Sequence, residues 1–249
     1  METIFLISFI LLSAGLVKGL VGFGEAVIGV GLISLILSPR EAVVLMIIPI
    51  MVSNISLVRE IGLDTVKSLL DDHLVLISSV FGGTILGMFF LGKIPQNILS
   101  AVIGLILIIY SVLKFEGVAL RPEYFQRIPD KFESGLTGLL GSVGGFIFGA
   151  TSMGALIVMY LEYLDLPREK FVGFLGFVFL LISGFRVGSS YLLGYYSGSN
   201  ILYLSLLASV PVFIGVQLGE FIGRKESNKA HKRLVLLLFL LIGLRLIAR

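Results

Sequence analysis

The sequence contains no cysteine, which excludes a disulfide framework, a thiolate metal site and a cysteine nucleophile. Charged residues are scarce as well, at 14% of the 249 residues. A soluble domain of this length needs far more charge to cover its surface, so water is not the main solvent of this chain. The phosphate-binding loop GxxxxGKS/T of ATP-driven proteins and the HExxH zinc motif are also missing.

The chain is strongly apolar, with 57% hydrophobic residues and a mean hydropathy of +1.05. A transmembrane helix needs about 20 mostly apolar residues, and runs of that length or somewhat shorter follow one another along the whole sequence. They are too long and too closely spaced for the strands of a β-barrel. The sequence therefore predicts an all-α integral membrane protein. Because Glu2 rather than a basic residue heads the chain, we expect residues 1–16 to be a retained first segment and not a signal peptide.

Charges and clusters of glycine and proline divide the chain into ten predicted segments. These are residues 4–17, 26–37, 42–58, 74–91, 98–113, 135–148, 150–164, 171–193, 201–222 and 234–248. The motif LSPRE at residues 37–41 recurs as DLPRE at residues 165–169, and Gly83-x-x-x-Gly87 recurs as Gly215-x-x-x-Gly219. This pattern predicts a five-segment N-terminal repeat over residues 1–113, a cytoplasmic linker over 114–133 and a five-segment C-terminal repeat over 134–249.

An odd number of crossings in each half gives the two repeats opposite orientations. The basic residues test this, because cytoplasmic loops carry an excess of lysine and arginine. One predicted side carries Arg59, Lys67, Lys114, Arg121, Arg127, Lys131, Arg168, Lys170, Arg224, Lys225, Lys229, Lys232 and Arg233, and the other carries only Arg40, Lys93 and Arg249. The crowded side is expected to be cytoplasmic, with both termini outside. Inverted repeats of this kind are typical of secondary transporters.

The first pair of segments in each half is rich in glycine. Because glycine weakens a helix by about 1 kcal/mol per position, residues 15–25 are not expected to form continuous helix. Each pair is predicted to be a re-entrant hairpin or two short helices that meet near mid-depth around a cavity. The alternative is close helix packing through small residues, which suits Gly83 and Gly87 better than the first pairs.

A family resemblance rests on the same residues. Gly22-Phe23-Gly24-Glu25-Ala26 with the apolar run to Pro39, and the stretch Gly149–Gly154 leading to Pro167, resemble the TauE/SafE family of sulfite and sulfonate exporters, which belongs to the 4-toluene sulfonate uptake permease group. The resemblance covers nearly the whole chain. Glu25 and Met153 depart from it, because the glycine run of the family usually continues there. The resemblance implies a multi-pass protein of a prokaryotic plasma membrane that transports a small anion such as sulfite, a sulfonate or another organosulfur acid.

Ionisable residues inside membrane spans are expensive and are functional candidates. Lys18 and Arg186 are expected to attract the anion, unless each instead snorkels or forms a structural pair. Glu25 either neutralises Lys18 or carries a coupling proton after desolvation raises its pKa. The predicted substrate-binding set is Lys18, Gly22, Phe23, Gly24, Asn54, Gly149, Thr151, Ser152, Arg186 and Gln217, with Glu25 as the proton-coupling residue.

The sequence thus predicts a secondary anion transporter that works by alternating access. An anion channel of the same architecture and an intramembrane enzyme are the alternatives, although no acidic cluster lies within a span. No enzymatic activity, cofactor, metal or nucleic acid is expected. The expected partners are the anion, membrane lipid and, as an option, further copies of the chain.

Overall fold

The computed structural model describes residues 2–58, 62–115, 130–163, 166–197, 200–223 and 229–248, and within these ranges the chain is helical with no strand. The helices are α1 Glu2–Val21, α2 Glu25–Ile33, α3 Pro39–Leu45, α4 Ile47–Val58, α5 Leu63–Asp72, α6 Leu74–Leu91, α7 Gln96–Phe115, α8 Asp130–Thr151, α9 Ala155–Tyr163, α10 Arg168–Leu192, α11 Ile201–Gly223 and α12 Lys229–Ile247. The all-α prediction is confirmed. Most of the predicted linker lies outside the described residues.

Six spans among the described residues are long and apolar enough to cross a membrane. They are α6, α7, α8, α10, α11 and the pair α3–α4, which together form a stretch of 20 residues, Pro39–Val58. The helices α1 and α12 contain shorter apolar stretches, and α2 and α9 have only nine residues each. The chain is therefore a multi-pass membrane protein.

The repeated proline motif marks the start of a helix. In the first copy, the Ser38 hydroxyl accepts a hydrogen bond from the backbone N–H of Glu41, and the Glu41 carboxylate accepts one from the backbone N–H of Ser38 at 3.0 Å. This capping box satisfies two donors that the first turn of α3 would otherwise leave unpaired, and Pro39 loses nothing at a position where its N–H is not needed. In the second copy, Pro167 directly precedes α10.

A short amphipathic helix, α5, follows α4 in a region where none of the ten segments was predicted. It buries Val66 and Leu69 and exposes Lys67 and Asp71. No long apolar run marks α5 in the sequence, because polar side chains occupy one face of this helix.

Both glycine-rich stretches are helical for longer than predicted. The helix α1 continues through Gly15 and Gly19 to Val21, and α8 continues to Thr151. Only residues 22–24 and 152–154 leave the helical path. As expected, residues 15–25 do not form continuous helix, but the interruption is confined to residues 22–24. Gly15 and Gly19 stay helical because close packing against a neighbouring helix offsets the cost of these glycines.

Glycines set the closest helix contacts. The most extensive packing joins α6 to α8 and α1 to α11, followed by α7 with α12 and α4 with α10. A Cβ on Gly15 or Gly19 would overlap a backbone carbonyl oxygen of α11, and one on Gly215 or Gly219 would overlap a carbonyl oxygen of α1. The same relation holds between α6 and α8. The alternative of close packing thus applies to the upstream glycines as well as to the GxxxG pairs.

Candidate functional site

The two helix breaks meet at one cavity of about 40 Å³. Gly22, Phe23 and Gly24 border it from the first break, and Ser152 and Gly154 border it from the second. Further lining residues are Lys18, Glu25, Ala26, Val27, Ile50, Tyr110, Phe148, Ala155, Val158 and Phe179. One buried water needs roughly 10–15 Å³ of such a cavity, so there is room for about three water-sized groups. It is the size of a small polar group and not of a large organic molecule.

Residues with positive φ angles occur in both breaks. Gly22 and Gly24 have φ angles of 90° and 100°, in the region that only glycine enters without strain. In the second break, Ser152 takes the equivalent turn with a φ of 63°, although it carries a side chain. A strained non-glycine residue persists only where its surroundings hold it in place, and such residues cluster at functional sites.

Lys18 is buried at the first break in a complete hydrogen-bond network. Its ammonium nitrogen Nζ donates to Glu25 Oε1 at 2.5 Å, to Ser53 Oγ at 2.8 Å and to Asn54 Oδ1 at 2.7 Å. All three donors of the ammonium group are thereby used. Lys18 lies in the last turn of α1 and Glu25 in the first turn of α2, so the helix dipoles favour both charges. The structure thus shows the pairing with Glu25 that was the alternative to a role of Lys18 in attracting the anion.

Arg186 is fully buried beside the second break, with 0% of its surface exposed. Its Nη2 donates to Ser152 Oγ at 2.9 Å and to the Gly149 carbonyl at 3.3 Å, and its Nε donates to Met88 Sδ at 3.3 Å. The guanidinium carbon lies 4.8 Å from the centroid of the Phe148 ring. Among the side chains that the structure describes, none is a hydrogen-bond partner of Arg186 Nη1, and no carboxylate lies within ion-pair distance of this guanidinium. Arg186 therefore carries a buried positive charge that no described carboxylate neutralises.

The structure brings most of the predicted site residues together. Lys18, Gly22, Phe23, Gly24 and Ser152 line the cavity together with Glu25. Asn54 holds Lys18 from α4, and the Gly149 carbonyl holds Arg186.

Five predicted residues lie outside the cavity lining, namely Asn54, Gly149, Thr151, Arg186 and Gln217. The buried Thr151 hydroxyl donates to the Ile147 carbonyl and accepts from the backbone N–H of Met153, so it shapes the break. Gln217 is exposed on α11, where its amide donates to Ser56 at 2.8 Å.

Several lining residues were not predicted from the sequence, of which Tyr110, Phe148 and Phe179 are the largest. The repeat could have identified Phe148: when Gly22–Gly24 is aligned with Ser152–Gly154, Phe148 falls at the position of Lys18. Tyr110 and Phe179 come from α7 and α10, and no local pattern marks them, because apolar spans are full of aromatic residues.

The C-terminal end of α6 is fastened by side chains from other elements. Tyr195, in the turn after α10, donates to the Met88 carbonyl at 2.6 Å and accepts from the backbone N–H of Gly92 at 2.8 Å. Arg40 donates to the carbonyls of Leu91 and Ile94. Burial raises the pKa of Tyr195, so its hydroxyl stays protonated as these bonds require. The Met88 residue that contacts Arg186 is thus held at its backbone as well.

Comparisons with known proteins give one family and one named relative. The model of the family described as Sulfite exporter TauE/SafE matches residues 6–246. A curated relative from Bacillus subtilis (strain 168), named Probable membrane transporter protein YjnA, is 30% identical over 161 residues, which are 62% of this chain and 61% of the relative. The match thus spans less than two thirds of that relative. No solved structure matches the chain.

Proposed function

Because the chain belongs to the sulfite exporter TauE/SafE family of membrane transporters, we propose that it is a secondary transporter that carries a small anion across a prokaryotic plasma membrane by alternating access. The substrate class is sulfite, a sulfonate or another organosulfur acid. The observation that supports this most is Arg186, a buried cation without a described carboxylate partner, one hydrogen bond away from the cavity. An anion in the cavity supplies the missing negative charge.

Donors for the anion come from the second break. Ser152 lines the cavity, accepts from Arg186 and donates to the Val43 carbonyl at 3.3 Å, so the donors that remain are those of the first turn of α9, which borders the cavity through Ala155. The N-terminus of a helix presents unpaired backbone N–H groups and a partial positive charge to an anion. In this proposal Lys18, Gly22, Phe23 and Gly24 form the opposite wall, Asn54 and Thr151 position it, and Gly149 orients Arg186. Gln217 stays a weaker candidate, because it is exposed and bonded to Ser56.

Glu25 is our candidate for the coupling residue. It lines the cavity, and its Oε1 atom accepts from both Lys18 and Ser53, whereas its Oε2 atom has no described hydrogen-bond partner. A proton on Oε2 would leave the bonds at Oε1 in place. Proton binding here would change the charge of the cavity by one unit without dismantling the first break.

We also propose that the two halves form an inverted repeat of five membrane segments each. The packing supports this, because α1 packs on α11 in the same way as α8 packs on α6. Gly15 and Gly19 then correspond to Gly145 and Gly149, each pair packing closely on the GxxxG helix of the other half. Pairs such as α7 with α12 join equivalent elements to each other.

Opposite orientation of the halves is tested with single cysteines, since the chain has none of its own. Glu41→Cys and Lys170→Cys place a thiol at exposed positions next to Pro39 and Pro167, respectively. In intact cells a membrane-impermeant maleimide is expected to label the first variant, and the second only after permeabilisation. Labelling of both from the same side contradicts the inverted repeat.

Transport itself is tested by counterflow in proteoliposomes. Vesicles loaded with unlabelled sulfite or methanesulfonate are expected to accumulate the labelled anion transiently and with saturation, because a carrier exchanges the anion faster than the gradient dissipates. A channel gives rapid flux without counterflow. Absence of saturable flux for sulfite and for every organosulfur anion tested rejects the proposed function.

A further inference from the structure

One face of α10 carries three buried polar side chains toward its C-terminal end. Ser183, Arg186 and Ser190 follow one another at intervals of three and four residues, so they share a face of the helix. Each of them has 0% of its surface exposed. None of the three is among the residues that line the cavity between the helix breaks. This polar face is therefore separate from the cavity lining, although Arg186 contacts Ser152 within that lining.

A tight turn after α10 folds Tyr196 back toward the same face. The N–H of Tyr195 donates to the Ser190 carbonyl at 2.9 Å, and the N–H of Gly194 donates to the next carbonyl along the chain at 3.1 Å. This pair of bonds commonly ends a helix, and it requires the left-handed conformation that Gly194 adopts with a φ of 74°. Tyr196 is buried as a result, and its hydroxyl interacts with Ser190 and with the charge of Arg186.

Buried polar atoms of this group lack well-formed hydrogen bonds to the residues that the structure describes. The atoms are Ser183 Oγ, Arg186 Nη1, Ser190 Oγ and Tyr196 Oη. The hydroxyls of Ser190 and Tyr196 are close enough to influence each other, but their geometry falls short of a hydrogen bond. Because buried polar atoms in proteins nearly always have a partner, the group is suited to a polar ligand.

The chemistry of these atoms selects an anion as the ligand. A guanidinium can only donate hydrogen bonds, and each hydroxyl has a proton to donate. Burial raises the pKa of Tyr196, so its hydroxyl stays protonated at neutral pH. Arg186 adds a positive charge that has no described carboxylate within ion-pair distance. An oxyanion offers several acceptor oxygens together with the opposite charge, whereas a cation would be repelled.

We propose that Arg186 Nη1, Ser190 and Tyr196 form a second anion subsite, separate from the cavity lining, that binds the oxyanion head group of the substrate. The inference rests on the proposed function for the identity of the anion and adds two binding residues to it. The Nη2 atom of Arg186 faces Ser152 in the cavity lining, and the Nη1 atom faces the subsite. An anion can thus pass between the subsite and the cavity while it stays beside the same positive charge.

The test compares Ser190→Ala and Tyr196→Phe with the wild type. Each variant removes one hydroxyl and changes neither the charge nor, to any large extent, the shape. The affinity for methanesulfonate is measured on purified protein from the concentration dependence of the thermal shift, since a ligand stabilises the state that it binds. It is expected to fall about tenfold or more in each variant, because a hydrogen bond to a charged group is lost. The KM of counterflow is expected to rise accordingly.

Melting without ligand separates binding from a structural role. Both variants are expected to melt at the temperature of the wild type or higher, because the hydroxyl that each one removes makes no well-formed hydrogen bond to the described residues. A purely structural hydroxyl gives the opposite result, with a lower melting temperature and an unchanged affinity.

Two matched controls lie on the same helix. Ser183→Ala removes an equally buried hydroxyl one turn before Arg186, on the side away from Ser190. Tyr191→Phe removes the hydroxyl of a tyrosine that is 71% exposed. Both controls are expected to keep the wild-type affinity.

Wild-type affinity in either folded variant, Ser190→Ala or Tyr196→Phe, overturns the subsite. A loss in Ser183→Ala as large as that in Ser190→Ala overturns it as well, since the effect would then not be specific to the residues of the subsite. In both cases saturable counterflow by the wild type keeps the proposed function intact. If neither methanesulfonate nor sulfite shifts the wild-type protein and counterflow is absent, the proposed function and the subsite fail together.

Discussion

Replacing Arg186 with glutamine is expected to abolish both the thermal shift by methanesulfonate and its counterflow, while the protein still folds. The substitution removes the buried positive charge that no described carboxylate balances. One unit charge within about 5 Å of a bound anion is worth roughly 3 kcal/mol at an effective dielectric constant of about 20, so the affinity should fall by about 100-fold or more. The measurement is the thermal shift of purified protein, followed by counterflow in proteoliposomes.

The stability of this variant separates binding from structure. Arg186 carries an uncompensated buried charge and an unpaired Nη1, so Arg186→Gln should melt at the same temperature as the unliganded wild type or higher. Arg245→Gln is the matched control, because it removes an exposed arginine from α12 and should leave the shift intact. If Arg186→Gln keeps the full shift, Arg186 does not belong to the binding site.

Replacing Gly87 with valine is expected to be the most damaging change to the fold. A Cβ at this position would overlap the Phe146 carbonyl oxygen and lie 2.9 Å from the backbone nitrogen of Ala150. These are backbone atoms of α8, so α6 and α8 must move apart along their most extensive contact. Overpacking of this kind costs about 3 kcal/mol or more, which lowers the melting temperature of a chain of this size by roughly 10 °C.

Gly82 provides the comparison on the same helix. It is exposed, and nothing lies within 4 Å of a Cβ added there. Gly82→Val should therefore melt close to the wild type when both variants are measured in the same detergent. Equal melting temperatures for the two variants would show that close approach of α6 to α8 contributes little to stability.

The long apolar spans could be predicted from sequence, because hydrocarbon solvent leaves few alternatives to a helix. The details that depend on a partner helix could not. Residues 15–25 were not expected to form continuous helix, but where the break lies could not be predicted: Gly15 and Gly19 stay within α1, since what they contact is α11 at the other end of the chain. A single sequence contains no information on which distant helix compensates for a glycine.

The candidate site shows the same division. Pairing of Lys18 with Glu25 was one of two interpretations of these charges, and the structure shows the pair. Arg186 was a candidate because a charge inside a span is costly. Its contact with Ser152 across 34 positions could not be predicted, and neither could the joining of the two breaks at one cavity.

The pairing of α1 with α11 also constrains the order of events during biosynthesis. The first helix leaves the ribosome long before its glycine-matched neighbour has been translated. Its small-residue groove must meanwhile be covered by lipid or by the insertion machinery. Membrane integration and final assembly are thus separated in time. In a chain truncated before residue 201, the small-residue groove of α1 lacks its partner helix α11.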